Sequence, residues 1–289
     1  MSLQFCSLNS GSNGNCYYIG NDVDAVLVDA GLTLKDMHVR MQLTGLSMDR
    51  VRAIFISHEH SDHIKGLCAL ASRYKLPVYI TKHTHLACGF TLPPEQVHVF
   101  TDGVAVQVGS LEIMPFRKFH DAADPHSFTI SSNGARVGVF TDIGRPCGRL
   151  RTQLALCHGV FLESNYDEEM LEQGSYPWFL KNRIRGGQGH LSNREALELF
   201  LAYRSPGLSH VLLAHLSRNN NCPDKALALF APHAGNVTIA VASRFEPSPV
   251  YTVYPNQAVP LPVSRMRRKA LVSTAQLSLF GEPDTPSRN

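Results

Sequence analysis

The strongest chemical signal in the sequence is the polar run Ser57-His-Glu-His-Ser-Asp-His63. Histidine imidazoles and carboxylates are the ligands of zinc, manganese and iron sites. His58 and His60 stand two apart, just after an apolar run that ends at Ile56, and can point to one side. Asp62 and His63 open the next predicted helix and can serve a second ion nearby. Four such residues within six positions predict a two-metal hydrolytic site.

Further candidate ligands come directly after predicted strands. They are Asp29, His120, Asp142 and His215. Functional groups on loops that are held by strand ends form sites of precise geometry. Asp142 is predicted to bridge the two ions, because a carboxylate has one oxygen for each.

The elements that must position these side chains alternate along the chain. Ten short apolar or β-branched runs predict strands at 25–28, 53–56, 78–80, 104–108, 111–114, 128–130, 137–140, 160–162, 211–213 and 237–241. Gly109-Ser110 and Asn133-Gly134 predict hairpin turns. A helix is predicted over 63–74, capped by Ser61 or Asp62, and a capping box at Ser192 opens another to Tyr203. The mixture predicts a layered α/β protein.

Composition narrows the class of protein. The 289 residues are 44% hydrophobic and 18% charged, which predicts a globular chain. There is no apolar run of the roughly 20 residues that cross a bilayer and no signal-peptide pattern, so we expect a cytoplasmic protein. Seven cysteines without a Cys-x-x-Cys pair argue against a disulfide framework or a zinc ribbon. A net charge of +3 does not by itself indicate nucleic acid.

The motifs resemble a known group of proteins. The run 57–63, with Asp29 before it and His120, Asp142 and His215 after it, is similar to the five ordered motifs of the metallo-β-lactamase superfamily over residues 3 to about 250. That resemblance implies a four-layer αββα sandwich with mixed sheets. It also implies a catalytic domain over residues 1–254.

A narrower resemblance is to the YycJ/WalJ (also VicX) family of bacterial nuclease-like proteins, some of which are linked to DNA exonuclease activity and mismatch repair. The segments that carry it are Ser10-Gly-Ser-Asn-Gly-Asn15, Phe119-His-Asp-Ala-Ala-Asp-Pro125, Glu163-Ser-Asn-Tyr-Asp167, Gly189-His-Leu-Ser-Asn193 and Leu213-Ala-His-Leu-Ser-Arg-Asn-Asn220. Asn13 departs from the serine that is more usual in the first segment. His126 follows Pro125 and is a second candidate for the ligand at His120.

The family likeness implies two ligand sets that share Asp142. The first ion takes His58, His60, His120 and Asp142, and the second takes Asp62, His63, Asp142 and His215. These ligands accept zinc or manganese, with iron as a third option.

The residues around the ligands favour one reaction within the superfamily. The 73 positions from Asp142 to His215 are too few for the clamp domain of RNase J-like enzymes, and the context of His120 is not that of glyoxalase-like thioesterases. The order of Glu163 and His190 resembles RNase Z-type phosphodiesterases. We therefore predict phosphodiester hydrolysis, with Asp62, Glu163 and His190 as catalytic residues.

The substrate is predicted to be DNA, cleaved as by an exonuclease in repair or replication. The predicted substrate contacts are Asn13, Asn15, Asn219, Asn220, Arg183 and Arg185, with Lys181 in the same basic loop. Two alternatives stay open. One is a phosphodiesterase acting on a nucleotide or cyclic phosphate, and the other is a non-enzymatic regulator of a two-component signalling system.

The composition changes at residue 255. Residues 255–289 are rich in proline and carry the basic cluster Arg265-Met-Arg-Arg-Lys269, which predicts a mobile tail. Within it, Gln276-Leu-Ser-Leu-Phe280 looks like the peptide by which bacterial DNA-processing proteins dock on the sliding clamp. Gln276, Leu277, Leu279 and Phe280 are its predicted contacts, and packing of this segment on the enzyme itself is the alternative.

Overall fold

The computed structural model describes residues 2–255. Within that range the chain forms fourteen strands. They are β1 (Leu3–Asn9), β2 (Cys16–Gly20), β3 (Ala25–Val28), β4 (Val51–Phe55), β5 (Val78–Ile80), β6 (Val97–Val99), β7 (Val106–Val108), β8 (Leu111–Arg117), β9 (His126–Ser132), β10 (Ala135–Phe140), β11 (Gly159–Glu163), β12 (His210–Ala214), β13 (Thr238–Val241) and β14 (Tyr251–Val253).

Nine α-helices connect the strands within the same residues. They are α1 (Leu34–Thr44), α2 (Ser61–Ile64), α3 (Leu67–Tyr74), α4 (Lys82–Ala87), α5 (Gly148–Leu154), α6 (Glu168–Gln173), α7 (Trp178–Arg185), α8 (Asn193–Tyr203) and α9 (Pro223–Phe230). Short 3-10 turns occur at Met48–Arg50, Pro94–Gln96 and Ala231–His233.

The strands form two mixed sheets of seven strands each. Their orders are β14-β1-β2-β3-β4-β5-β6 and β13-β12-β11-β10-β9-β8-β7. In the first sheet β3 to β6 are parallel, and in the second β10 to β13 are parallel. Parallel neighbours place their carboxyl ends at the same edge of a sheet, so each sheet has one edge where several loops meet.

Three apolar clusters show how the layers stack. The inner cluster draws on both sheets, and Phe5 of the first sheet meets Phe161 of the second edge-on at 5.4 Å. A second cluster packs α1 and α3 on the outer face of the first sheet. A third packs α5, α8 and α9 on the outer face of the second. The predicted αββα sandwich is therefore confirmed, and the central parallel strands β3, β11 and β12 are almost entirely buried because both of their faces are covered.

The predicted strands are all present, with shifted ends, and both hairpins are confirmed. Asn133 and Gly134 have φ of 49° and 85°, as a primed turn requires. Four strands were not predicted from the sequence, namely β1, β2, β6 and β14.

The helix predicted over 63–74 is wrong in two respects. It starts at Ser61 with His60 at the N-cap and no side-chain cap, and it is broken between α2 and α3 at Gly66. A Cβ at Gly66 would lie 1.7 Å from the carbonyl oxygen of Leu32, and the Gly66 N–H donates to Ala30. The break exists because the loop after β3 crosses the chain at this point.

Candidate metal centre

Strand ends of both sheets converge on the candidate site. In the second sheet Asp142 follows β10, Glu163 ends β11 and His215 follows β12, which are adjacent parallel strands. In the first sheet Asp29 follows β3 and the run 57–63 follows β4. These segments form hydrogen bonds with one another across a single cleft.

Three of these residues adopt the left-handed backbone conformation. The φ angles of Asp29, Asp142 and His215 are 63°, 55° and 57°. Aspartate and histidine adopt this region more readily than most residues, and such conformations cluster at functional sites. Each is fixed by a hydrogen bond from its own N–H. Asp142 donates to Glu163 Oε1 at 3.1 Å, and His215 donates to Ser10 Oγ at 2.7 Å.

The structure brings all seven predicted ligands together in adjoining groups. His60 Nδ1 lies 3.0 Å from His58 Nε2 and 3.4 Å from His120 Nε2. Asp62 Oδ2 lies 3.5 Å from both His63 Nε2 and His215 Nε2. In each group the ligand atoms lie within 4.8 Å of one another.

Asp142 stands between the two groups. Its Oδ2 is 3.4 Å from His63 Nε2, and its Oδ1 is 3.9 Å from His120 Nε2. Both Asp142 Oδ2 and His215 Nε2 are buried without a hydrogen-bond partner among residues 2–255. Buried polar atoms without partners are costly, so these donors fit a divalent metal ion placed between them.

A second layer of hydrogen bonds sets the histidine tautomers. Asp29 Oδ2 accepts from His63 Nδ1 at 2.7 Å and from Ser57 Oγ at 2.9 Å. Since the Ser57 hydroxyl donates to Asp29, it accepts from His58 Nδ1 at 2.8 Å. Both histidines therefore present Nε2 to the ligand groups, which is the usual role of an outer carboxylate at a metal site.

Glu163 collects five donors on one fully buried carboxylate. Oε1 accepts from the Asp142 N–H, from His190 Nδ1 at 2.8 Å and from His215 Nδ1 at 3.1 Å. Oε2 accepts from the N–H groups of Ile143 and Leu191 at 2.7 and 3.1 Å. Burial opposes the charged form, but His190 and His215 lower the pKa of Glu163 to about 2.

Negatively charged carboxylates dominate the electrostatics of the site, although it contains many histidines. Burial lowers the pKa of His58 well below its ordinary value, helped by the neighbouring His63 and Lys118. Burial also acts against a charged His63, but Asp142, Asp29 and Asp62 outweigh it and raise the pKa of His63. Carboxylates this dense attract a cation.

Lys118 is a site residue that the sequence reasoning missed. Its side chain is buried, and Nζ donates to the carbonyl oxygen of Thr141 at 2.7 Å, next to Asp142. Its place two residues before His120 was the available signal. Lys118 fixes the strand end that presents Asp142.

His120, and not His126, lies among the candidate ligands. His120 Nδ1 donates to the carbonyl of Gly189 at 3.0 Å, which leaves Nε2 for the cleft. His126 belongs to none of the potential ligand groups in the described part of the chain and instead bonds to Asp124.

Comparisons with known proteins agree with this geometry. Residues 24–216 match the family model described as "Beta-lactamase superfamily domain". The chain is 37% identical over 229 residues to "Exodeoxyribonuclease YycJ" of Bacillus anthracis, covering 78% of this chain and 87% of that protein. The chain belongs to the YycJ/WalJ family of the metallo-β-lactamase superfamily.

Two further comparisons support the family and the fold. "Exodeoxyribonuclease WalJ" of Streptococcus pneumoniae is 30% identical over 266 residues, covering 90% of this chain and 98% of that protein. The structure of the metallo-β-lactamase fold protein YhfI from Bacillus subtilis superposes with a TM-score of 0.65 at 15% identity, covering 87% of this chain and 100% of that one. The second likeness concerns the fold alone.

Several of the candidate ligands in this YycJ/WalJ chain line a cleft of about 270 Å³. Tyr176 and three residues of α7, Leu180, Arg183 and Ile184, form one wall. The basic residues Lys181, Arg183 and Arg185 lie on α7, which begins directly after Pro177 at its N-cap, and not in the predicted loop. No helix among residues 2–255 is long and apolar enough to cross a membrane.

The predicted substrate contacts are distributed unevenly around the cleft. Arg183 lines it and pairs through Nε with Asp121 at 2.5 Å, whereas Arg185 pairs with Glu172 at 2.8 Å outside the residues that line the cleft. The prediction is wrong for Asn15 and Asn220, because both are buried and do not line the cleft.

Three of the predicted asparagines form hydrogen bonds with other residues of the protein. Asn15 Nδ2 donates to Asp62 Oδ2 at 3.0 Å and so positions a candidate ligand. Asn13 is exposed and donates to the carbonyl of Arg244 at 2.9 Å. Asn219 is exposed and donates to the Tyr176 hydroxyl at 3.0 Å.

Proposed function

We propose that this chain is a two-metal DNA exonuclease. The observation that carries the proposal is Asp142, whose two oxygens lie between two groups of histidine and aspartate ligands in one cleft. The relatives at 37% and 30% identity are named exodeoxyribonucleases, which supports DNA as the substrate. A role in repair or replication is part of the proposal.

The proposed ligand sets follow the two groups. His58, His60 and His120 hold one ion, Asp62, His63 and His215 hold the other, and Asp142 serves both. The donor set suits zinc or manganese, with iron as a third option. Divalent ions in such sites act as Lewis acids on phosphoryl oxygens and make water a stronger nucleophile at neutral pH.

His190 is the proposed proton donor to the leaving oxygen, and Glu163 positions it. With Nδ1–H donated to Glu163, His190 keeps Nε2 for the cleft, which its ring lines. Its side chain is 21% exposed, so a substrate can reach it. Arg183 lines the same cleft, where its remaining N–H groups can hold a phosphate oxygen.

Replacing His190 by alanine is expected to reduce DNA turnover by about 10²- to 10⁴-fold, which is the usual contribution of a general acid. Bound metal should be unchanged, because His190 lies outside the two proposed ligand sets. Steady-state kinetics and metal analysis of the same preparation measure both quantities. His98→Ala, an exposed histidine on β6, is the control. Loss of a metal ion from His190→Ala would make this residue a ligand instead.

The reaction is tested with DNA labelled at the 5′ or the 3′ end, single- or double-stranded, in manganese or zinc. An exonuclease is expected to shorten the labelled DNA progressively from one end. Hydrolysis of a generic phosphodiester with no action on DNA would support the small-molecule phosphodiesterase alternative. Intact metal binding with neither activity would support the regulatory alternative.

We further propose that Gln276 to Phe280, which lie outside the described residues, bind the bacterial sliding clamp. A short peptide can place Leu279 and Phe280 in an apolar pocket while Gln276 bonds at the rim. Full-length protein is expected to retain the clamp in a pull-down, and a chain ending at Ala275 is expected to lose it. Equal retention by both chains would contradict this proposal.

A further inference from the structure

A second cavity adjoins the metal cleft. It measures about 400 Å³, within the range of roughly 300–1,000 Å³ found for small-ligand sites. We call it the Phe245 pocket, after its lining residues Leu216, Arg218, Val241, Ala242, Arg244 and Phe245. Leu216 and Ser217 line both this pocket and the metal cleft. The two spaces therefore share a wall that begins directly after the ligand His215.

The pocket carries positive charge without a balancing carboxylate. Arg218 and Arg244 both line it, and neither forms an ion pair within the part of the chain that the structure describes. The two cations are close enough that Arg218 adds to burial in lowering the pKa of Arg244. Two neighbouring guanidinium groups without a counterion favour an anion, and arginine binds phosphate well.

The glycine-rich segment 10–15 helps to hold one of these arginines. Arg244 Nη2 donates to the carbonyl of Leu216 at 2.8 Å. A Cβ at Gly11 would lie 2.8 Å from that same nitrogen, so the guanidinium packs closely against the backbone of this segment. Asn13 Nδ2 also donates to the backbone carbonyl of Arg244 at 2.9 Å. Arg244 is thus fixed in the structure, while Arg218 is exposed and free to meet a ligand.

Phe245 supplies an exposed aromatic face beside this charge. Its side chain is 77% exposed, although its N–H donates to Ser243 Oγ and its carbonyl accepts from Arg40. The backbone is held while the ring faces solvent. Proteins that bind single strands combine such stacking surfaces with basic groups that contact the backbone.

We propose that the Phe245 pocket binds one nucleotide of the DNA strand adjacent to the scissile phosphate, with its base against Phe245 and its phosphate on Arg218. This inference rests on the proposed nuclease function and names a subsite for it. Leu216 and Ser217 line both spaces, so the cleft and the pocket adjoin, as two subsites for one strand must.

The test measures binding of the full-length protein to a cleavage-resistant, labelled single-stranded oligonucleotide by fluorescence anisotropy. Phe245→Ser is expected to weaken binding by about tenfold, a typical effect of losing one stacked base. Arg218→Gln is expected to reduce the slope of log K against log salt by about 0.7, the value for one phosphate contact on a single strand. Phe245→Ser should leave that slope unchanged, because it removes no charge.

Matched controls come from the amino ends of β10 and β11, two neighbouring strands of the second sheet. Leu156→Ser removes an exposed apolar side chain before β11, and Arg136→Gln removes an arginine at the start of β10. Both lie at the amino ends of strands whose carboxyl ends form the site, and both should bind as the wild type does. Because Arg218 is exposed, Arg218→Gln tests the pocket even if the Phe245 variant folds poorly.

Abasic substitution identifies the stacked base. A single abasic residue moved along the oligonucleotide should weaken wild-type binding at one position and have no further effect on Phe245→Ser. If both variants keep wild-type affinity and salt slope while the wild type degrades DNA, the pocket inference is overturned and the nuclease proposal stands. If the wild type neither binds nor degrades DNA, both fail.

Discussion

Asp142→Asn is expected to reduce DNA hydrolysis by about 10³-fold or more and to lower the amount of bound metal. The oxygens of Asp142 reach both proposed ligand groups, at 3.4 Å from His63 Nε2 and 3.9 Å from His120 Nε2. An amide offers one neutral oxygen in place of two charged ones. The loss of about 4 kcal/mol of transition-state stabilisation corresponds to the stated factor.

Asparagine is the right replacement because it tolerates the backbone at this position. The φ of Asp142 is 55°, a region that asparagine adopts readily and alanine does not. Asp22→Asn, in the exposed turn between β2 and β3, is the matched control. Metal analysis and turnover are measured on the same preparations. An Asp142→Asn protein with full metal content and full activity would exclude the shared-ligand arrangement.

The clustering of the candidate ligands could be predicted from the sequence because their signal is local. The run from His58 to His63 is compact, and Asp142 and His215 each follow an apolar strand that is visible in the sequence. Strand ends are also where a left-handed aspartate or histidine is acceptable. The sequence therefore indicated residues that the structure brings together in one cleft.

The asparagines show where such reasoning stops. Asn15 and Asn219 are the same residue type near site-forming segments, yet one is fully buried and the other exposed. Asn15 is buried because it bonds to Asp62, 47 positions along the chain. A side chain's partner at that separation depends on how the loops pack, and no local pattern records it.

Two features of the structure, the helix at the basic segment and the Phe245 pocket, depend on packing that the sequence pattern does not show. The charges of α7 suggested a solvated loop. The segment is instead a helix, and its Leu180 and Ile184 side chains line the cleft. The Phe245 pocket exists only because the segment 10–15 meets residues 216–218 and 241–245, which are about 200 positions away in sequence. Contacts between residues so far apart in sequence depend on the order of strands in the sheets, which the strand pattern in the sequence does not determine.

Glu163→Gln is expected to destabilise the protein by about 3–5 kcal/mol, the usual cost of breaking a buried charged network. The two residues have the same shape, but glutamine replaces one oxygen by an NH₂ group. Oε1 accepts hydrogen bonds from three donors and Oε2 from two. In either orientation of the glutamine side chain, its NH₂ group would therefore face at least two N–H donors. Urea unfolding at neutral pH measures the difference, with the exposed Glu198→Gln on α8 as control.

The pH dependence separates this network from a general packing defect. The pKa of Glu163 is lowered from 4.5 to about 2, so its charge stabilises the folded state above the unfolded pKa. That contribution is lost as the pH falls through about 2. The stability gap between wild type and Glu163→Gln should therefore narrow as the pH falls below about 4.5. A gap of constant size would mean that the amide disturbs packing, and that the carboxylate charge does not organise His190, His215 and Asp142.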